Sequence, residues 1–338
     1  MRRFKRTLVA VAVAVTVVSG TAGWVTGNAQ VAVTGAPPGA AAWRAEGLPD
    51  PVTSGPGQVA RFFAGLSEAR RTDLARRHPA VVGNLDGAPV ALRYAANSRS
   101  LKADGRLALA APGRQILAFD PRGRGQIAEV YGDLGAAEHV AVVVPGSDID
   151  AGTFDRKSDV YGTPAGMAGA LHRATGRRAA VIAWAGYTTP VGVGVDAASG
   201  ALAEAGAVRL GRLADGLDAT GSPDPVVFCH SYGSVVCGLA APRLDASDVV
   251  VLGSPGMRVS SVDELDTRAR VWAAKDPDDW ISKVPHVEFA GLGHGADPAE
   301  PSFGARRVPA EDAQGHTGYF APGTESLRTF AAIAEGEL

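Results

Sequence analysis

A serine set among small residues is the first place where this chain could do chemistry. Cys229-His230-Ser231-Tyr232-Gly233-Ser234 lies between an apolar run of strand type, Pro225-Val226-Val227-Phe228, and a run of helical type from Val235 to Ala240. At so sharp a strand-to-helix turn the serine is pushed out of the sheet in a strained backbone conformation, exposed as a nucleophile. Small neighbours are required because the helix passes close to the strand, and Gly233 meets that need. Serine also caps helices well. The strand–turn–helix context favours the nucleophile. A serine hydroxyl is weak by itself, so a base must take its proton and an acid must hold that base.

Downstream residues supply both in the order serine, acid, histidine. Asp276 follows the apolar run Val271-Trp272-Ala273-Ala274 and is the expected acid, with Asp278 and Asp279 as rivals. His316, in His316-Thr317-Gly318-Tyr319-Phe320 ahead of a last helical run, is the expected base. His294, in the glycine-rich stretch Gly291-Leu292-Gly293-His294-Gly295, is the alternative. His230 is expected to pack away from the base. Attack on a carbonyl leaves an oxyanion that needs preorganised backbone donors. The amide of Tyr232 should be one. The other should come from Val144-Pro145-Gly146-Ser147-Asp148, where proline has no amide hydrogen and Ser147 is the choice. There is no zinc-type spacing and no convincing phosphate-binding glycine motif, so neither metal nor cofactor is expected.

The elements that must carry these residues can be read from hydrophobic pattern. Residues 116–119 and 126–131 flank a turn containing Pro121, Gly123 and Gly125, which suggests a hairpin. His139–Val144, Arg178–Trp184, Val226–Phe228, Asp248–Leu252 and Arg270–Ala274 are short apolar runs, as strands buried on both faces require. Helical stretches at 165–174, 196–219 and 325–334 separate or follow them, and 305–308 is a last strand. Alternating strands and helices predict an α/β fold with a mostly parallel sheet covered on both faces. Before this domain, taken as 111–338, residues 58–110 read as a helical extension or lid that opens with a helix from Gln58 to Arg77, and 30–57, rich in Ala, Gly and Pro, as a linker.

At 338 residues, 46% apolar and 20% charged, the composition is that of a globular protein. A formal charge of −2 gives no reason to expect nucleic acid as a partner. The first residues, Met1-Arg2-Arg3-Phe4-Lys5-Arg6, are basic, and Leu8 to Val18 is almost wholly Ala and Val before small residues follow. That order predicts that 1–29 is an export signal or, extended through Trp24 and Val25, a membrane anchor. The only cysteines, Cys229 and Cys237, are read as small buried residues, since two cysteines do not oblige a disulfide.

With these stretches in order, the chain resembles the α/β-hydrolase superfamily, and more closely an actinobacterial family catalogued as a domain of unknown function. The resemblance is carried by GNLDGAPVALRYAAN, VAVVVPGSD, VIAWAGYTTP, CHSYGS, VLGSPG, LGHGADP and HTGYF, over about residues 80–335. It implies the α/β-hydrolase fold and a serine nucleophile at Ser231. HTGYF is similar to the terminal histidine motif of some secreted lipases, which supports His316. Cys229 departs from the usual glycine. The sequence thus predicts an exported serine hydrolase, secreted or anchored to the outer face of the cytoplasmic membrane. Its expected substrate is a small-molecule or lipid carboxylic ester. The alternatives are a catalytically silent cell-surface protein of the same fold, or a peptidase or thioesterase.

Overall fold

The structure is a computed structural model that describes residues 29–289 and 291–338. The leader expected at 1–29 lies outside them except for its last residue. Helices α1 (Ala40–Ala45), α2 (Pro56–Ala64), α3 (Glu68–Arg77), α4 (Pro79–Val82) and α5 (Val90–Ala103) come first. Then follow β1 (Gln115–Asp120), β2 (Gln126–Tyr131), β3 (His139–Val144), α6 (Pro164–Ala174), β4 (Ala179–Ala185), α7 (Val195–Ala198) and α8 (Ala201–Ala219). The chain continues through β5 (Val226–His230), α9 (Gly233–Ala240), β6 (Asp248–Leu252), β7 (Arg270–Ala274), β8 (Glu288–Phe289), β9 (Leu292–Gly293), β10 (Arg306–Val308) and α10 (Glu325–Ala334).

Eight strands form one sheet in the order β1-β2-β4-β3-β5-β6-β7-β10. The expected hairpin is present: β1 and β2 pair antiparallel, and β2 is antiparallel to β4. Every later neighbour pairs in parallel. Their residues alternate between two cores. Ala141 and Val143 join the side covered by α6 and α10, whereas Val140, Val142 and Val144 join the side covered by α8 and α9. Burial on both faces is why the alternation is invisible in sequence and the runs look uniformly apolar. The two-residue strands β8 and β9 form a separate hairpin that short-range pattern did not reveal.

The N-terminal region differs from expectation. Residues 30–57 are not a bare linker: Trp43 is fully buried and its indole N–H donates to the Pro49 carbonyl at 2.6 Å. The single helix read across 58–77 breaks between α2 and α3, where the Ser67 hydroxyl caps α3 by accepting the Arg70 N–H. With Val59, Phe63 and Leu74, Trp43 belongs to a third, smaller core. This extension is seated on the sheet's β1 end. Asn84 bonds the Phe119 backbone, and Arg212 of α8 donates to the carbonyls of Val52 and Ser54. Three strands separate β1 from β5, so the Asn84 contact lies away from the elbow.

Candidate active site

Because β3, β5, β6, β7 and β10 run in parallel, the segments that leave them emerge on one edge of the sheet. Ser231 follows β5 there with φ of 55°, the left-handed region that a residue with a Cβ seldom enters. Its N–H donates to Leu252 O at 3.0 Å, tying the turn to the end of β6. Glycines permit the close packing. A Cβ on Gly233 would lie 2.6 Å from Val144 O, and one on Gly146 would lie 2.6 Å from Ser231 Cβ and 2.9 Å from its Oγ. The loop after β3 is therefore pressed directly against the serine side chain. Of the amides beside it, that of Asp148 is engaged by Pro190 O at 2.9 Å. Those of Tyr232 and Ser147 donate no hydrogen bond among the described residues.

The two cysteines are joined. Cys229, two residues before Ser231, is disulfide-bonded to Cys237 in α9, and both are fully buried. This corrects the reading of them as free packing residues. The bond fastens the strand entering the turn to the helix leaving it, a loop closure worth about 2–3 kcal/mol in the chain-entropy account.

His316 is positioned from two sides. Its Nδ1 lies 2.9 and 3.0 Å from the two carboxylate oxygens of Asp279. Its backbone carbonyl accepts from His230 Nε2 at 2.7 Å, and the two imidazole rings are 4.7 Å apart. His230 therefore does not point away as expected; it clamps the main chain of the second histidine. The carboxylate fixes the tautomer: Nδ1 carries the proton, and Nε2, which makes no hydrogen bond among the described residues, presents a lone pair. A Cβ on Gly253 would meet Asp279 Oδ2 at 2.8 Å and the His316 ring at 3.1 Å, so the end of β6 must be bare for the pair to fit. Among the described residues Ser231 Oγ makes no hydrogen bond, and the imidazole of His316 is bonded to Asp279 instead.

The expected acid, Asp276, is not the partner of His316. Its Oδ1 accepts the Asp278 N–H at 2.8 Å and its Oδ2 the Gly315 N–H at 2.7 Å, so it is spent on shaping the two loops. One turn later Asp279 is turned inward and is almost completely buried. Burial pushes its carboxyl up. The His316 hydrogen bond and charge, the Ile281 N–H and the Tyr319 hydroxyl outweigh that and hold it below the ordinary value. Tyr319 was not singled out from sequence. Its hydroxyl donates to Asp279 Oδ2 at 2.7 Å and accepts from the Asp276 N–H at 3.1 Å, bracing both acids. Its position three residues after His316, in a short helical turn, was the available signal. Trp280, whose ring lies 4.6 Å from that of His316 and remains 41% exposed, was also missed. His294 sits across the elbow, its Nε2 bonded to Ala197 O at 2.7 Å, and faces Tyr232 rather than any carboxylate.

A mostly parallel sheet with a serine at a left-handed turn after its middle strand defines the α/β-hydrolase class. This chain belongs to that family: the α/β-hydrolase family model matches residues 120–289. Two curated relatives, the uncharacterized proteins MT2140 and Rv2079 of Mycobacterium tuberculosis strains, are each 28% identical over 86% of this chain. The chain spans 57% of their length. Among solved structures, a predicted CIB-like hydrolase from Thermoplasma acidophilum is 14% identical, with a TM-score of 0.38 over 67% of this chain and 98% of its own. A serine hydrolase without lid from Xanthomonas campestris is 15% identical, with a TM-score of 0.39 over 67% and 95%.

Proposed function

We propose that this protein is a serine hydrolase of carboxylic esters. Ser231 Oγ attacks the ester carbonyl carbon while its proton passes to His316 Nε2, and Asp279 stabilises the imidazolium that results. The Tyr232 and Ser147 amides donate to the oxyanion of the tetrahedral intermediate. Collapse breaks the bond to the leaving alkoxide, which takes the proton from His316. Water then attacks the acyl-serine, with His316 again as base, and releases the acid and the free hydroxyl.

The observation that carries this reading is the buried Asp279 carboxylate paired with His316, which His230, at the end of β5, holds beside the strained turn at Ser231. Export is part of the proposal. It is supported by the basic-then-apolar order of residues 1–29 and by the Cys229–Cys237 disulfide, which persists in oxidising compartments. A fluorophosphonate probe should label the wild-type protein and leave Ser231→Ala unlabelled. Equal labelling of the two would remove Ser231 from the mechanism. No labelling of either, with no turnover of short p-nitrophenyl esters, would favour the silent relative of the same fold.

A further inference from the structure

More than half of the large apolar side chains left exposed among the described residues fall in two short segments, 191–195 and 280–292. Both leave the carboxyl edge of the sheet, after β4 and β7. Val193 is 74% and Phe289 75% exposed, and Val287 and Leu292 are also open. Scattered apolar residues need no explanation on a soluble surface, but a contiguous set does.

Hydrogen bonds fasten each segment to residues around the candidate site. The Gly192 N–H donates to Asp148 Oδ1 at 2.8 Å, in the loop that carries Ser147. Ser199, just after α7, bridges Leu292 and accepts the Tyr232 hydroxyl at 2.8 Å, one residue from Ser231. Glu288, the carboxylate within the hairpin, is paired with Arg258 at 2.7 Å, while Lys283 is exposed beside it. Trp280 completes the collar against His316.

The N-terminal end of the described chain arrives at this same collar. Gln30 N–H donates to Asp196 Oδ2 at 2.6 Å, Val33 N–H donates to Thr188 Oγ1 at 3.0 Å, and Val31 between them is 84% exposed. The described chain therefore starts at the collar, and in sequence the apolar stretch from Leu8 to Val25, with its basic start, ends shortly before Gln30. Two surface cavities, about 470 Å³ between α6 and α10 and about 320 Å³ beside Arg114 and Glu129, lie elsewhere.

We infer that the collar formed by 191–195 and 280–292 docks on a lipid bilayer, so that the ester hydrolysed at Ser231 is a membrane-resident lipid. This rests on the serine-hydrolase reading for its chemistry but not for its docking. Apolar side chains with few unpaired charges gain by entering the interfacial layer, and a nearby cation adds attraction to anionic headgroups.

The test uses the full chain, and because an apolar leader would bind vesicles without any help from the collar, association is not the readout. Amide hydrogen exchange is compared with and without vesicles of phosphatidylcholine and phosphatidylglycerol, for wild type and a Val193→Ser/Phe289→Ser double variant. Wild-type amides at 191–195, 287–289 and 291–293 should exchange about 5-fold or more slowly on vesicles, α10 should not change, and the variant should lose the effect. Turnover of a vesicle-borne ester should fall about 10-fold or more in the variant, with a short soluble ester within about 2-fold of wild type. Unchanged exchange at the collar, or equal slowing at α10, overturns the proposal. So does self-association that needs the collar but no vesicles, which would assign the surface to a second copy. If the exchange result holds while the fluorophosphonate probe labels nothing, docking stands and the hydrolase reading fails alone.

Discussion

Ser231 has a histidine packed against each of its chain neighbours, and the two histidine environments are opposite in kind. On the His230 side, His316 has Nδ1 on a buried carboxylate and Nε2 free. On the Tyr232 side, His294 spends Nε2 on the Ala197 carbonyl, and its Nδ1 is buried with no hydrogen-bond partner. Burial, with Arg258 nearby, pushes the His294 pKa down, opposed by the Ala197 backbone bond and the charge of Glu288. An imidazole that gains a proton during a reaction needs a counter-charge at hand, and of the two only His316 is hydrogen-bonded to a carboxylate. Nearness to the serine does not distinguish the two; the group on the far nitrogen does. His294 reads instead as a strut, its carbonyl accepting the Arg258 N–H at 2.7 Å beneath the collar hairpin.

Replacing each histidine by alanine is the most forceful way to break this contrast. His316→Ala should lower kcat/KM on a soluble ester by about 10⁴-fold or more, as for other triad bases. His294→Ala should stay within about 10-fold and lose thermal stability instead. Inverted results would move the base to the other side of the elbow.

The acids sharpen the comparison one step further out. Asp279→Asn keeps the shape but offers His316 the wrong partner, and an expected loss of about 10³–10⁴-fold follows. Asp276→Asn should cost about 10-fold or less, with its main effect on unfolding midpoint, because its oxygens accept only backbone amides. A larger kinetic loss for Asp276 than for Asp279 would return the role to the residue first expected from sequence.

The smallest expected effect concerns the clamp. Burial first, and then the neighbouring His316, push the pKa of His230 down to about 3 from 6.5. Below pH 6.5 the unfolded chain takes up a proton that the folded one refuses, so this group makes stability fall as pH drops toward 3. In denaturant unfolding across that window, His230→Asn should flatten the slope while its amide still reaches the His316 carbonyl. An unchanged slope would mean that His230 titrates normally.

Much of the fold was legible because its signals are local. The runs at 248–252, 270–274 and 325–334 coincide with β6, β7 and α10, since a short apolar run bounded by turns has few other readings. The turn at Ser231 was legible for the same reason: strand, small residues and helix are contiguous. The break between α2 and α3 was missed because the apolar stripe continues across the Ser67 cap. The buried place of Trp43 was missed because Ala-, Gly- and Pro-rich composition outweighed one aromatic residue.

The sequence by itself determined a strand–serine–helix element, a parallel α/β succession and an acid–histidine order downstream. Tertiary structure decided which acid, which histidine and which exposed surface belong together. Asp276 and Asp279 stand in one loop and differ only in which way the turn aims them, and His316 meets Asp279 across 37 residues. The cysteines, eight residues apart, pair because β5 and α9 fold back on one another. The collar is contiguous only because Ser199 and Leu292 meet in space. Periodicity records which face of an element is apolar; it carries no information on which distant element will lie against it.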